Sequence, residues 1–167
     1  MTQTKNIMVA TRASMAPAQH GLVDINLDAW QNSNYLGRIV VNSGAPGCQN
    51  FRKLIHERKG QLEPCPEGVF NLGPLEWAGG KGNYTAQFSQ IQSPIWVMID
   101  PRRAIGFHMD GNRRTAPGSA GCLVFKTVDD MKKFVNWYNG YGEFQQLICN
   151  WGLGSVVVPK NLIVRAK

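Results

Sequence analysis

Residues 23–27 (VDINL) and 36–41 (LGRIVV), separated by the turn-forming residues 32–34 (NSN), decide the class of fold of this chain. The first run alternates apolar and polar side chains, which is the pattern of a strand with one buried face. Asn and Ser favour turns, so the second run is predicted to return beside the first as a hairpin. The folded part of the chain is therefore expected to begin with antiparallel β-structure.

Further short apolar runs, bounded by glycine and proline, extend this prediction. We predict strands at residues 69–72, 95–99, 104–108, 122–125, 145–149 and 155–158. A short helix is predicted at residues 51–58. The glycine-rich residues 77–84 predict a loop, and they lack the Walker pattern of a phosphate-binding site.

One longer helix is predicted to begin after Thr127, an N-cap residue type that precedes two acidic residues in the first turn. Apolar side chains recur at helical spacing along it and are expected to face the core: Val128, Met131, Phe134, Val135 and Tyr138. The residues Asn139 and Gly140 are predicted to end it. The expected fold class is mainly β with one clear helix.

Length and composition indicate one domain. A chain of 167 residues buries one sizeable core, and 18 glycines placed between apolar runs favour strands and turns over a helical bundle. The polar residues 1–21 are predicted to form a poorly ordered lead-in. Residues 22–167 are then expected to form a single domain without a linker or an internal repeat.

The net charge of +7 predicts an anionic partner, such as nucleic acid, an anionic membrane surface or a bacterial cell wall. The basic residues are scattered and form no RNA-binding signature, so nucleic acid is not expected. No apolar run has the length of a membrane span, so stable membrane insertion is not expected. The first residues lack the apolar segment of a secretory signal, which predicts synthesis in the cytoplasm.

Four cysteines are present, Cys48, Cys65, Cys122 and Cys149, and no CxxC pair occurs. Free thiols are predicted in preference to a disulfide framework. Cys149 lies in an apolar run and is predicted to belong to the core. Cys48 and Cys65 lie in predicted loops without a histidine at motif spacing, whereas Cys122 follows a histidine at such a spacing.

The candidate site consists of residues 106–111 (GFHMDG) and 119–124 (SAGCLV). His108 lies at the end of one predicted strand, and Cys122 lies fourteen residues later at the start of another. A thiolate is a strong nucleophile, and an imidazole within hydrogen-bond reach accepts the proton of the thiol. Glycine at position 121 lets the Gly121 and Cys122 amides face a developing oxyanion. The pattern predicts a cysteine acyl-transfer enzyme.

Alternatives remain open at this site. Asp110 either orients His108, binds substrate, or simply forms a turn before glycine. A zinc site made of His108, Asp110 and Cys122 lacks a further ligand at suitable spacing, so no metal and no cofactor are expected. A catalytically silent module that binds through its basic surface is the alternative from a different class.

The same residues resemble the catalytic domain of the L,D-transpeptidase (YkuD) family. The family signature is a histidine at a strand end and a Ser-x-Gly-Cys segment, matched by His108 and by residues 119–123 (SAGCL). Residues 40–44 (VVNSG) resemble its strand that ends in a small-residue–glycine turn. Residues 64–70 (PCPEGVF) resemble its threonine-proline-x-glycine-x-phenylalanine segment. In order and spacing the resemblance covers roughly residues 22–160.

The resemblance implies a β-sandwich or barrel with Cys122 as nucleophile and His108 as base. It further implies that Ser119 or nearby carbonyls orient the imidazole, and that the amides of Gly121 and Cys122 form the oxyanion hole. The implied substrate is the stem peptide of peptidoglycan, which contains D-amino acids. The sequence departs from the family pattern at Met109, Ala120 and Val124, the last of which replaces the usual arginine.

Cations and a carboxylate near the predicted site are candidates for substrate binding, namely Asp110, Arg113 and Arg114, with Lys126 as a further candidate to replace the missing arginine. Because the chain is small and basic and begins without a signal, it looks like a phage-type lysin. We therefore predict a monomeric, cell-wall-lytic hydrolase of peptidoglycan stem peptides that acts at the wall or in the periplasm after release. An L,D-transpeptidase that cross-links or exchanges stems is the alternative reaction.

Overall fold

A computed structural model of the protein describes residues 3–58, 60–77, 93–100 and 104–164. In these ranges the strands are β1 (Asn6–Arg12), β2 (Ile25–Gln31), β3 (Asn34–Asn42), β4 (Gly68–Asn71), β5 (Leu75–Trp77), β6 (Ile95–Asp100), β7 (Ile105–Met109), β8 (Leu123–Phe125) and β9 (Gln146–Asn150). The helix α1 spans Val128–Tyr141, and short 3-10 turns lie at Gln19–Gly21, Leu54–His56 and Lys160–Leu162.

The nine strands of the described ranges form one sheet in the order β4-β9-β1-β2-β3-β8-β7-β6-β5, curved into a half-barrel. Over the described residues this confirms a mainly β fold with one α-helix. The specific L,D-transpeptidase fold is a prediction of the sequence motifs. Most neighbours are antiparallel, including the predicted β2–β3 hairpin, which turns at Asn32 with a φ of 52°. Two pairs are parallel, β1 with β9 and β7 with β8.

The helix α1 covers one face of the sheet and begins as predicted. The hydroxyl of Thr127 accepts a hydrogen bond from the Asp130 amide, which satisfies one of the free amides of the first turn. Phe134 packs between Phe107 and Phe125, with ring centroids 4.9 and 4.7 Å away. The predicted apolar stripe is wrong at Val128, which is 52% exposed, and right at its other four positions. None of the helices in the described ranges combines the length and the apolar character of a membrane span.

The expectation of a poorly ordered lead-in over residues 1–21 is wrong for Asn6–Arg12, which form β1 between β2 and β9. Met8 and Ala10 are completely buried in the main core, and Val9 is buried in a second cluster on the other face. A strand covered on both faces shows no alternation of apolar and polar residues, so the sequence pattern of Asn6–Arg12 does not indicate a strand.

Two smaller predictions are also wrong, and one lies mostly outside the described residues. Residues 51–58 contain only the 3-10 turn Leu54–His56. Residues 155–158 form no strand, since the Ser155 amide and hydroxyl donate to the buried carboxylate of Glu67 at 2.8 and 2.5 Å. The predicted loop at residues 77–84 lies outside the described residues from position 78 onward.

Candidate active site

The register of β7 and β8 places the two predicted catalytic residues on one face of the sheet. The parallel pair aligns Phe107 with Leu123 and His108 with Val124. Side chains alternate along a strand, so Phe107 and Leu123 face the core while His108 faces the opposite side. Cys122 lies directly before β8 and lines the same cavity as His108. The structure therefore brings His108 and Cys122 together at one cavity.

His108 and Cys122 line one cavity of about 550 Å³. The loop between β7 and β8 forms much of its wall, through residues 116–120 among others. Ala45, Leu62 and Ala104 close it from other parts of the chain. Both candidate groups therefore face a space large enough for part of a peptide.

Trp96 supports the imidazole from the neighbouring strand β6. Its ring is stacked on His108 with centroids 5.8 Å apart and an interplanar angle of 17°. Gly106 makes this placement possible, because a Cβ there would lie 2.5 Å from the indole and 2.6 Å from the Val97 carbonyl oxygen. The contact of Trp96 with His108 depends on the pairing of β6 with β7, which no local sequence signal indicates.

His108 is oriented by a backbone carbonyl. Its Nδ1 lies 2.8 Å from the Met109 carbonyl oxygen, which only accepts, so Nδ1 carries the proton and Nε2 holds the lone pair. Burial lowers the pKa of His108, and the Met109 carbonyl and the Asp110 charge oppose this shift in part. A neutral imidazole with Nε2 as acceptor is the form that a general base requires.

Cys122 is a neutral thiol in the resting structure. Burial raises its pKa to about 11; the Gly106 amide at the sulfur lowers it, and the neighbouring Cys65 thiol raises it further. The Cys122 thiol donates to the Ala104 carbonyl at 3.9 Å, and the imidazole of His108 bonds to Met109. No hydrogen bond joins the two side chains, so the resting pair is a thiol beside a neutral imidazole.

The resemblance implied that Ser119 or nearby carbonyls orient the imidazole; the Met109 carbonyl bonds to it, and Ser119 instead stabilises the turn before Cys122. The Ser119 hydroxyl donates to the Cys122 carbonyl at 2.6 Å and accepts from the amides of Gly121 and Gly44, each at 3.3 Å. The Gly121 amide is thus occupied. Among the described residues the Cys122 amide has no acceptor, so of the two predicted oxyanion donors it is the one left available.

Asp110 and Arg113 hold the loop rather than line the cavity beside Cys122. The Oδ2 atom of Asp110 accepts from Arg113 at 3.1 Å and from the Gly118 amide at 3.0 Å. Arg113 also donates to the Asn42 side chain at the end of β3, at 2.9 Å. These bonds attach the loop between β7 and β8 to the end of β3, so the role of Asp110 is to hold this loop in position.

Arg114 and Lys126 lie away from the thiol. Both line a separate cavity of about 880 Å³ near the start of α1, and Lys126 is paired with Asp24 at 3.1 Å. Val124, at the position of the family arginine, is completely buried beside His108. None of these residues places a cation in the cavity that holds Cys122.

The other cysteines lie in different surroundings. Cys65 and Cys149 are completely buried with their sulfurs 3.9 Å apart, as predicted for Cys149, and Cys48 is partly exposed in a loop. In the described part of the chain, no three His, Cys, Asp or Glu side chains are grouped to hold a metal ion.

Comparison of the chain with protein-family models, with curated proteins and with solved structures finds no match. The geometry of His108 and Cys122 is therefore the basis of the functional argument, together with the sequence motifs that resemble the L,D-transpeptidase family.

Proposed function

We propose that the protein is a cysteine-dependent hydrolase of peptidoglycan stem peptides that acts through a thioester intermediate. The observation that carries this proposal is that His108, in β7, and Cys122, directly before the parallel neighbour β8, line one cavity. A base on a strand and a nucleophile directly beside a strand are held more rigidly than side chains in the middle of a loop.

Because both pKa shifts favour the uncharged forms, the reaction begins from the neutral pair. The Cys122 side chain rotates toward Nε2 of His108, which takes the thiol proton as the sulfur attacks the peptide carbonyl. The negative charge on the carbonyl oxygen is held by the Cys122 amide. Throughout, Nδ1 of His108 keeps its proton and donates a hydrogen bond to the Met109 carbonyl.

The protonated imidazole then gives its proton to the leaving amine, and the C–N bond breaks to leave a thioester on Cys122. Water attacks the thioester with His108 again as base, which releases the acid and restores the thiol. Exposed residues of the cavity wall, such as Ala104, Asn112 and Ala120, give water access to the sulfur. This access allows water to hydrolyse the thioester.

Two sequence features support peptidoglycan as the substrate. The SAGC segment and the upstream motifs resemble those of the L,D-transpeptidase family. The net charge of +7 favours binding to an anionic cell wall, which is the proposed place of action.

A wall-binding module without catalytic activity is the second candidate. The observation that favours it is the raised pKa of Cys122, at about 11, together with the absence of a hydrogen bond from its thiol to His108. In that case Cys122 is a partly buried small side chain without a catalytic role, and the basic surface is the functional part.

Digestion of purified peptidoglycan, followed by mass spectrometry of the released fragments, tests the proposal. The wild type is expected to release stem fragments, while Cys122→Ala releases none and His108→Ala releases at least about 100-fold less. Cys48→Ala is the matched control, since Cys48 is also a partly exposed thiol. Binding of wild type and Cys122→Ala to the wall without any release would support the binding module instead. Exchange of a D-amino acid would identify a transpeptidase.

A further inference from the structure

Ser43 links three parts of the chain directly behind the proposed nucleophile. It follows the last residue of β3 and is completely buried. Its hydroxyl accepts a hydrogen bond from the Cys65 amide at 2.9 Å and donates one to the Gly121 carbonyl at 3.2 Å. The hydroxyl thus uses both its acceptor and its donor capacity inside the protein.

The bond to Gly121 acts on the peptide group that contains the Cys122 amide. A peptide group is planar and trans, so the Gly121 C=O and the Cys122 N–H point in opposite directions. Fixing the carbonyl oxygen on Ser43 therefore fixes the Cys122 N–H on the side away from Ser43. That amide is the available oxyanion donor, because the Gly121 amide is taken by Ser119.

The peptide group needs such a tether. Gly121 has a φ of +119°, a conformation that glycine adopts readily and other residues rarely adopt. Glycine also has access to more backbone conformations than any other residue, so this peptide group can rotate unless it is held. Ser43 is itself held in place, because the segment at Cys65 is fixed by a 2.8 Å bond from the Trp151 indole to the Cys65 carbonyl. The tether is therefore anchored in the core.

We propose that Ser43 is a positioning residue that aims the Cys122 amide at the oxyanion of the acyl-transfer reaction. The inference rests on the proposed function, since it assigns the orientation of a donor in that site. It also gives a role to residues 40–44 (VVNSG), one of the motifs singled out in the sequence.

The test compares two reactions of the same sulfur. Hydrolysis of a peptide bond passes through an oxyanion, whereas alkylation by iodoacetamide is a displacement at carbon that forms none. Ser43→Ala is expected to lower kcat for stem-peptide release by about 10- to 100-fold with little change in KM, since removal of a whole oxyanion donor costs about 100- to 1000-fold. The alkylation rate of Cys122 is expected to stay within about twofold of wild type at the same pH.

Two control variants separate orientation from general damage. Thr127→Ala removes the cap of α1, and therefore some stability, without contact with the turn at Cys122, and is expected to keep full turnover. Ser43→Thr keeps the hydroxyl and is expected to recover most of the lost kcat. Wild-type turnover in Ser43→Ala, or an equal fall in turnover and alkylation, would overturn the inference and leave the proposed function standing. A wild type that releases nothing would overturn both.

A measurement on the wild type covers the case in which Ser43→Ala does not fold. A peptide aldehyde adds to the thiol as a hemithioacetal, whose oxygen occupies the position of the oxyanion. In the amide NMR spectrum, the Cys122 proton is expected to move downfield on addition of the aldehyde, while the Gly121 proton stays. A downfield shift of the Gly121 amide proton instead of the Cys122 amide proton would show that the hydrogen bond from Ser43 does not determine which amide binds the oxyanion.

Discussion

Replacement of Gly106 by alanine tests the packing that supports His108. Gly106 lies in β7, where it pairs with Met98 of β6, faces the Trp96 indole and lies beside the Cys122 sulfur. An added Cβ would lie 2.5 Å from Cζ2 of Trp96 and 2.6 Å from the Val97 carbonyl oxygen, where ordinary contacts are 3.4–4 Å. To relieve the overlap, the added Cβ and its neighbours must move apart by about 1 Å. The Val97 oxygen belongs to the backbone of β6, so the strand itself would have to shift.

Overpacking of a well-packed core costs about 1–3 kcal/mol, and the involvement of a backbone atom places Gly106→Ala near the upper value. The displaced indole is the ring stacked on His108, so turnover is expected to fall together with stability. Urea unfolding followed by tryptophan fluorescence measures the change in the free energy of unfolding.

Gly140→Ala is the matched control, because it makes the same chemical change inside α1 where nothing lies within 4 Å of the added Cβ. Alanine is a better helix former than glycine, so this variant is expected to gain about 0.5–1 kcal/mol. The two substitutions should therefore change stability in opposite directions. A Gly106→Ala protein as stable as wild type would refute the packing argument.

Three further predictions concern titratable groups. The alkylation rate of Cys122 is expected to rise about tenfold per pH unit above neutrality and to level off near pH 11, because burial raises the pKa of the thiol to about 11. A rate profile, followed by mass spectrometry, with its midpoint below pH 9 would contradict this. Burial acts to raise the pKa of Glu67, but hydrogen bonds, first from Ser155, lower it overall. Glu67→Gln should therefore lower the free energy of unfolding by about 2 kcal/mol at pH 7. The difference from wild type should shrink as the pH falls below the ordinary pKa of 4.5 and the native carboxylate becomes protonated. Chemical denaturation that shows an equal loss at all pH values would contradict this. Asp110→Asn should weaken the bonds of Asp110 to Arg113 and to the Gly118 amide, and so speed hydrogen exchange of that amide. Unchanged exchange would show that these bonds are not needed to hold the loop.

Several features followed from local sequence alone. The β2–β3 hairpin was predictable because alternation and turn residues are local signals, and α1 was predictable from its cap and its helical spacing. The pair His108 and Cys122 was predictable for the same reason, since the chemistry of the two side chains and their strand-end positions need no knowledge of the rest of the chain.

Other features depend on contacts between distant parts of the chain, and only the tertiary structure decided them. β1 is a strand because β2 and β9 pair with it on both sides, and its own residues do not alternate. The contact of Trp96 with His108 depends on the register of strand pairing. A shift of the register by one residue would move every side chain of the strand to the other face of the sheet. Ser43 meets Gly121 across 78 positions of sequence, and the burial that sets the pKa of Cys122 comes from the whole fold. The sequence therefore determined which groups carry the proposed chemistry, and the fold decided their protonation and orientation, because burial and hydrogen-bond partners are properties of the packed chain.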